Sequence, residues 1–169
     1  MLHTSCFTLH LYPTPNTQVI SISYSSYELS YYPDDDGYLQ TFDATAMGLG
    51  AMGVTLLSAA GDDGVSGYLA RGSPLFCGYY PQFPATSPYV TAVGGTQGPE
   101  SGAMETVCMS DATPTGVITT GGGFSQYYPT PAWQASAVGG YLTYIDENKD
   151  SMPQQGVLTN LNICSCIAL

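Results

Sequence analysis

The segment over residues 53–64, Gly-Val-Thr-Leu-Leu-Ser-Ala-Ala-Gly-Asp-Asp-Gly, constrains this chain more than any other stretch. A short, mostly apolar run over 54–57 gives way to Ser58, Ala59 and Ala60, and then two acids sit between Gly61 and Gly64. The run is too short for a helix and is bounded by chain breakers, so it predicts a buried strand emptying into a tight turn. Strands of parallel α/β sheets deliver functional side chains at their carboxyl ends. Asp62, approached freely from either side, is therefore placed either to act on a substrate or to serve as a solvated turn residue.

The flanking sequence supplies the rest of such a sheet. Residues 18–25 alternate apolar and hydroxyl side chains, with Val19, Ile20, Ile22 and Tyr24 on a strand pattern. Pro33 and Gly37 then break the chain, and Asp34, Asp35 and Asp36 between them complement the positive end of a following helix. Leu39, Phe42, Ala46, Leu49 and Met52 recur at three- and four-residue steps, which predicts a helix over 39–52 with one face on a sheet. With the strand at 54–57 this makes a β-α-β unit whose crossover is right-handed. A third strand is expected over 89–93, leading into Gly94 and Gly95. The run of Gly121, Gly122 and Gly123 marks backbone that needs unusual conformations or lies against another segment. Pro131 opens a second amphipathic helix, expected over 132–142 and carrying Trp133, Ala137, Val138, Tyr141 and Leu142. Residues 1–17 form an irregular leader and 143–169 a tail without a legible pattern. The expected class is α/β, three-layered, with a mainly parallel sheet.

At 169 residues the chain suits one domain. Arg71 and Lys149 alone oppose 13 acids, for a net charge of −11. Phosphate backbones and anionic lipid surfaces repel such a polyanion, so neither nucleic acid nor membrane is expected as a partner. An acidic medium relieves the self-repulsion, and the composition suits a secreted or vacuolar protein. No apolar run approaches the ~20 residues of a membrane span, and the first twelve residues lack the basic start and apolar centre of a signal peptide. Of five cysteines, Cys77 and Cys108 flank residues 83–97 and are a candidate disulfide. Cys164 and Cys166 have no neighbouring His, so no metal site is expected there, and Cys6 has no evident role.

Four segments resemble, in order, those of the sedolisins, the serine-carboxyl peptidases. Residues 53–64 are similar to the family's Gly-Val-Thr strand with its Ala-Ser-Gly-Asp-Ser-Gly turn. Residues 83–97, Phe-Pro-Ala-Thr-Ser-Pro-Tyr-Val-Thr-Ala-Val-Gly-Gly-Thr-Gln, resemble its Phe-Pro-Ala-Ser-Ser-Pro-Tyr-Val-Thr block. Gly121 to Ser125, followed by Tyr128, Pro129 and Pro131, resemble its Gly-Gly-Gly-Phe-Ser and Phe-Pro-x-Pro block, and residues 19–24 resemble its substrate-lining strand. The resemblance covers residues 18–142 and implies part of a subtilisin-like catalytic domain whose family activity is acid-acting hydrolysis of peptide bonds. A peptide or protein is the implied partner.

The resemblance implies roles residue by residue. Asp62 matches the aspartate that helps form the oxyanion hole. A carboxylate has no proton to donate, so an aspartate stabilises an oxyanion only when neutral, and this suits work in acid. Ser23, Tyr24 and Ser25 match the strand against which an extended peptide pairs. Ala59, Ala60 and Gly61 match the small residues that leave room for the side chain before the scissile bond. Asp63 receives no catalytic role, and Glu28 reads as a solvated residue beyond the substrate strand. The family takes its nucleophile from a Gly-Thr-Ser-Ala motif, which this chain lacks. Its base is a Glu with an Asp four residues on, and none of Glu28, Glu100, Glu105 or Glu147 has that partner. Ser87, followed directly by Pro88, reads as part of a structural block, and His3 and His10 lie in the leader with no serine motif to serve. The family also uses calcium, but its site has no counterpart here, so no cofactor is expected in this chain. Two readings follow: part of a sedolisin-type peptidase domain, or a catalytically inactive remnant that binds peptides as a decoy.

Overall fold

The structure, a computed structural model, describes residues 17–28, 37–71, 74–76, 78–109 and 118–148. Strands β1 (Val19–Ile22), β3 (Thr55–Ala59) and β5 (Thr91–Val93) form a parallel sheet in the order β1-β3-β5. Helix α1 (Tyr38–Ala51) crosses between the first two. The fold is α/β with a mainly parallel sheet, as the alternation of strand and helix patterns implies. Two short antiparallel pairs flank it: β2 (Ser26–Tyr27) with β4 (Gln82–Phe83), and β6 (Thr96–Gln97) with β7 (Thr106–Val107).

The core lies between α1 and one face of the sheet. Leu39, Phe42, Ala46 and Leu49 of α1 pack with Val54, Leu56 and Phe83, and Ile20 and Val90 close the edges. Each large apolar side chain buried this way contributes roughly 1.5–3 kcal/mol. The Phe42 and Phe83 rings meet edge to face, 4.8 Å between centroids. Register decides the other face: Val19, Thr55, Leu57 and Thr91 share it, and Val19 is 53% and Val93 49% exposed. Thus the sheet is covered by a helix on one side and open on the other among the described residues.

Several boundaries differ from the sequence expectation. The middle strand runs over Thr55–Ala59 rather than 54–57, because Val54 turns into the core and its N–H donates to Leu49 O (3.0 Å) at the end of α1. The third strand begins at Thr91, since the N–H of Val90 is held by Ser87 O in a preceding turn. Helix α2 (Ala135–Asn148) starts later and ends later than 132–142. Its entry is a turn in which Gln134 N donates to Pro131 O, and Ile145 extends the period set by Val138 and Tyr141. Asp34, Asp35 and Asp36 lie outside the described residues, as do Cys77 and the two histidines, whereas Cys108 is a buried free thiol donating to Ile118 O, with no disulfide. No described helix is long and apolar enough to cross a membrane.

Candidate functional site

The parallel register brings two chain segments to one end of the sheet. Ile22 pairs with Ser58, so residues 23–25 and 59–61 leave the carboxyl ends of adjacent strands side by side. Ser23 and Tyr24 are exposed, Tyr24 at 74%, and Ser25 is half-buried. Ala59 still pairs with Val93, and the next N–H, of Ala60, donates to Val93 O at 3.0 Å. Gly61 then reverses the chain at φ 108°, a conformation that a side chain would strain. Asp62 follows, exposed at the tip of the turn. The seven residues singled out by resemblance are therefore gathered at one end of one sheet.

A second layer of contacts fixes this turn. Thr119 N donates to Asp62 O (2.8 Å), Gly64 N donates to Thr119 O (3.0 Å), and Gly121 N donates to Gly61 O (2.8 Å). The glycine run lies against the pocket floor: a β-carbon on Gly121 would stand 1.8 Å from Ala60 O. Gln82 borders the space between the two segments. Its Oε1 accepts from Ser25 Oγ at 2.9 Å, its Nε2 donates to Tyr80 O at 3.0 Å, and its Cγ stands 3.0 Å from where a Gly61 β-carbon would be. Ala60, Gln82, Gly121, Ser125 and Trp133 line an open groove of about 670 Å3.

The serines facing this groove are committed elsewhere. Ser87, only 3% exposed, donates to Asp43 Oδ1 at 2.8 Å. Ser125 Oγ donates to Glu28 Oε1 at 2.5 Å and accepts the N–H groups of Tyr127 (3.0 Å) and Tyr128 (2.6 Å). A hydroxyl whose lone pairs already accept two N–H groups has none free for attack, so Ser125 is a structural knot. Ser87 is one as well, in keeping with the proline that follows it. Burial pushes the Asp43 carboxyl above its ordinary range, against the lowering effect of the Ser87 and Tyr128 hydroxyls. Burial and then the Asp43 charge push the Tyr128 phenol up in turn.

Glu28 departs from its sequence reading. It is fully buried, not solvated, because its carboxyl meets Ser125 Oγ and Gln126 N, 97 and 98 residues along the chain. No sequence pattern signals that pairing. Gln82 was also missed, although it directly precedes the Phe-Pro block, a position that β2–β4 pairing carries to the site. Among the described residues, no group of three or more His, Cys, Asp or Glu side chains is placed to hold a metal ion.

No protein-family profile matches the chain. Individual relatives do. The chain is 36% identical over 165 residues to tripeptidyl-peptidase SED1 of Arthroderma otae, covering 87% of this chain and 23% of that protein. It is 39% identical over 121 residues to tripeptidyl-peptidase 1 of Bos taurus (68% of this chain, 19% of the relative). It is 36% identical over 126 residues to kumamolisin of a Bacillus species (74% and 21%). The chain thus spans about a fifth to a quarter of the length of the curated relatives it matches. Among solved structures, Pseudomonas sedolisin, a serine-carboxyl proteinase complexed with two molecules of pseudo-iodotyrostatin, superposes with a TM-score of 0.57 at 36% identity, over 72% of this chain and 34% of that one. At these identities, and with a parallel sheet that superposes on that of a sedolisin, the chain belongs to the sedolisin family of serine-carboxyl peptidases, with its subtilisin-like α/β fold.

Proposed function

We propose that this chain provides the peptide-seating part of an acid-acting serine-type peptidase. The observation that carries the reading is the register of β1 on β3, which sets residues 23–25 beside Ala59, Ala60 and Gly61 with Asp62 at the tip. An extended peptide adds to residues 23–25 through main-chain hydrogen bonds. The small side chains at 59–61 leave space for the side chain preceding the scissile bond, and Gln82 forms a polar wall of that space. Asp62, when neutral, donates to the oxygen that gains charge as the carbonyl is attacked.

The attack itself needs a nucleophile and a base. The Gly-Thr-Ser-Ala motif and the Glu/Asp pair do not occur in these 169 residues. Seating without attack favours, for the isolated chain, peptide binding over turnover, which is the second reading of the sequence. The test is a calorimetric titration of the chain with an N-capped, uncharged tripeptide amide in acid, beside an assay for its cleavage. Saturable binding without cleavage, lost in Tyr24→Pro because a main-chain donor is removed, is expected. Binding that Tyr24→Pro leaves untouched, or no binding at all, overturns the reading.

A further inference from the structure

The buried Glu28 lies three residues past Ser25, at the end of the proposed peptide-binding strand, yet its carboxyl is spent on a distant segment. Oε1 accepts from Ser125 Oγ at 2.5 Å and Oε2 accepts from Gln126 N at 2.6 Å. Its own N–H donates to Pro81 O at 2.9 Å, which ties it to the strand pair that carries Gln82. Tyr79 fastens the same distant segment: its hydroxyl accepts from Phe124 N and donates to Phe124 O at 2.7 Å. Burying a carboxyl group is costly unless its oxygens are matched by donors, so a fully buried glutamate with one donor on each oxygen is a defined anchor.

What the anchor holds is the other half of the site. From Phe124 the chain runs back through Gly123 and Gly122 to Gly121, which bonds to Gly61 O, and to Thr119, which bonds to Asp62 O and accepts from Gly64 N. Residues 119–126 thus form one strap, fixed to the aspartate turn at one end and to Glu28 at the other. The glycines let it pass close under Ala60. We propose that Glu28 is a positioning residue for the Asp62 turn, acting through this strap to set the turn against residues 23–25. The functional weight of that coupling rests on the reading of Asp62 given above, but the coupling itself does not.

Amide hydrogen exchange on the 169-residue chain tests it. Glu28→Gln keeps size but sets an amide group where two donors need acceptors. Exchange at Thr119, Gly121 and Gly64 should then rise about 10- to 100-fold, the loss expected when a hydrogen bond to a carboxylate is removed. The amide of Thr55, which bonds to Gln18 O in the sheet, should keep its wild-type rate. Unchanged strap amides, or a rise at Thr55 as large as at Thr119, overturn the proposal. If Glu28→Gln does not fold, Ser125→Ala removes one donor and should show the same local pattern. Global unfolding of both variants, or an unchanged strap in Ser125→Ala, also overturns it. Peptide titrations of the same samples separate the two ideas. No peptide binding with the exchange pattern intact removes the proposed function and leaves the coupling; binding with no change in the strap removes the coupling alone.

Discussion

Gly121 and Ala60 approach so closely that no side chain fits between them: a β-carbon on Gly121 would lie 1.8 Å from the Ala60 carbonyl oxygen and 2.8 Å from Gly61 N. The clash is backbone against backbone, so no rotamer change relieves it. Gly121→Ala should therefore cost about 3 kcal/mol or more, at the upper end of overpacking penalties. A urea midpoint within error of wild type would show that the strap does not lie on the pocket floor as described.

Asp43 makes stability depend on pH in a defined direction. Burial raises its carboxyl above the ordinary value of 3.8 in the folded chain. The native state therefore binds more protons than the unfolded chain in the window upward from that value, and stability falls as pH rises through it. Asp43→Asn should flatten this part of the profile and leave the more acidic part unchanged. Urea unfolding midpoints at several pH values from about 3.5 to 6.5 check this. A profile as steep in Asp43→Asn as in wild type would assign the dependence to other groups.

The open face of the sheet and the outer surface of α2 carry exposed large apolar side chains, and contiguous apolar area beyond a few hundred Å2 is unusual on a monomer. Val19 and Val93 lie on the first, and Trp133, Leu142 and Tyr144 lie at or along the second. The isolated chain should bind a hydrophobic dye and self-associate as its concentration rises, seen by dye fluorescence and sedimentation. A monomer that ignores the dye would mean these faces are covered.

In a polypeptide that also supplies the serine and the acidic pair, Asp62→Ala should lose on the order of 10²–10³ in turnover, as other oxyanion-donor deletions do. Asp62→Asn should keep a donor that needs no proton, so the alkaline fall-off of its rate should move to higher pH. Equal impairment of the two variants, measured over the full pH profile, would make Asp62 a turn residue only.

The sequence was legible where one local pattern dictates one contact. The 3.6-residue period of Leu39, Phe42, Ala46 and Leu49 marks the buried face of α1 because all four meet the same sheet. The drop from Leu56 and Leu57 to Ala59, Ala60 and Gly61 marks the strand end because only small residues suit its close contacts. The glycine run announced a close approach, though not that Ala60 is the neighbour. What stayed illegible depends on pairs far apart in the chain. Glu28 looks like any exposed acid until Ser125 and Gln126 arrive. Ser87 and Asp43, 44 residues apart, likewise meet only in the fold. Helix α2 begins later than Pro131 implies, because the residues directly after that proline first make a separate turn.

The most direct test of the seated-peptide account is an NMR titration of the chain with an N-capped peptide in acid, following backbone amides residue by residue. The account predicts saturable shifts at Ser23, Tyr24 and Ser25 and at Ala60, Gly61 and Asp62, with the amides along α1 unmoved. Shifts confined to the groove around Trp133, or none at saturating peptide, would contradict it.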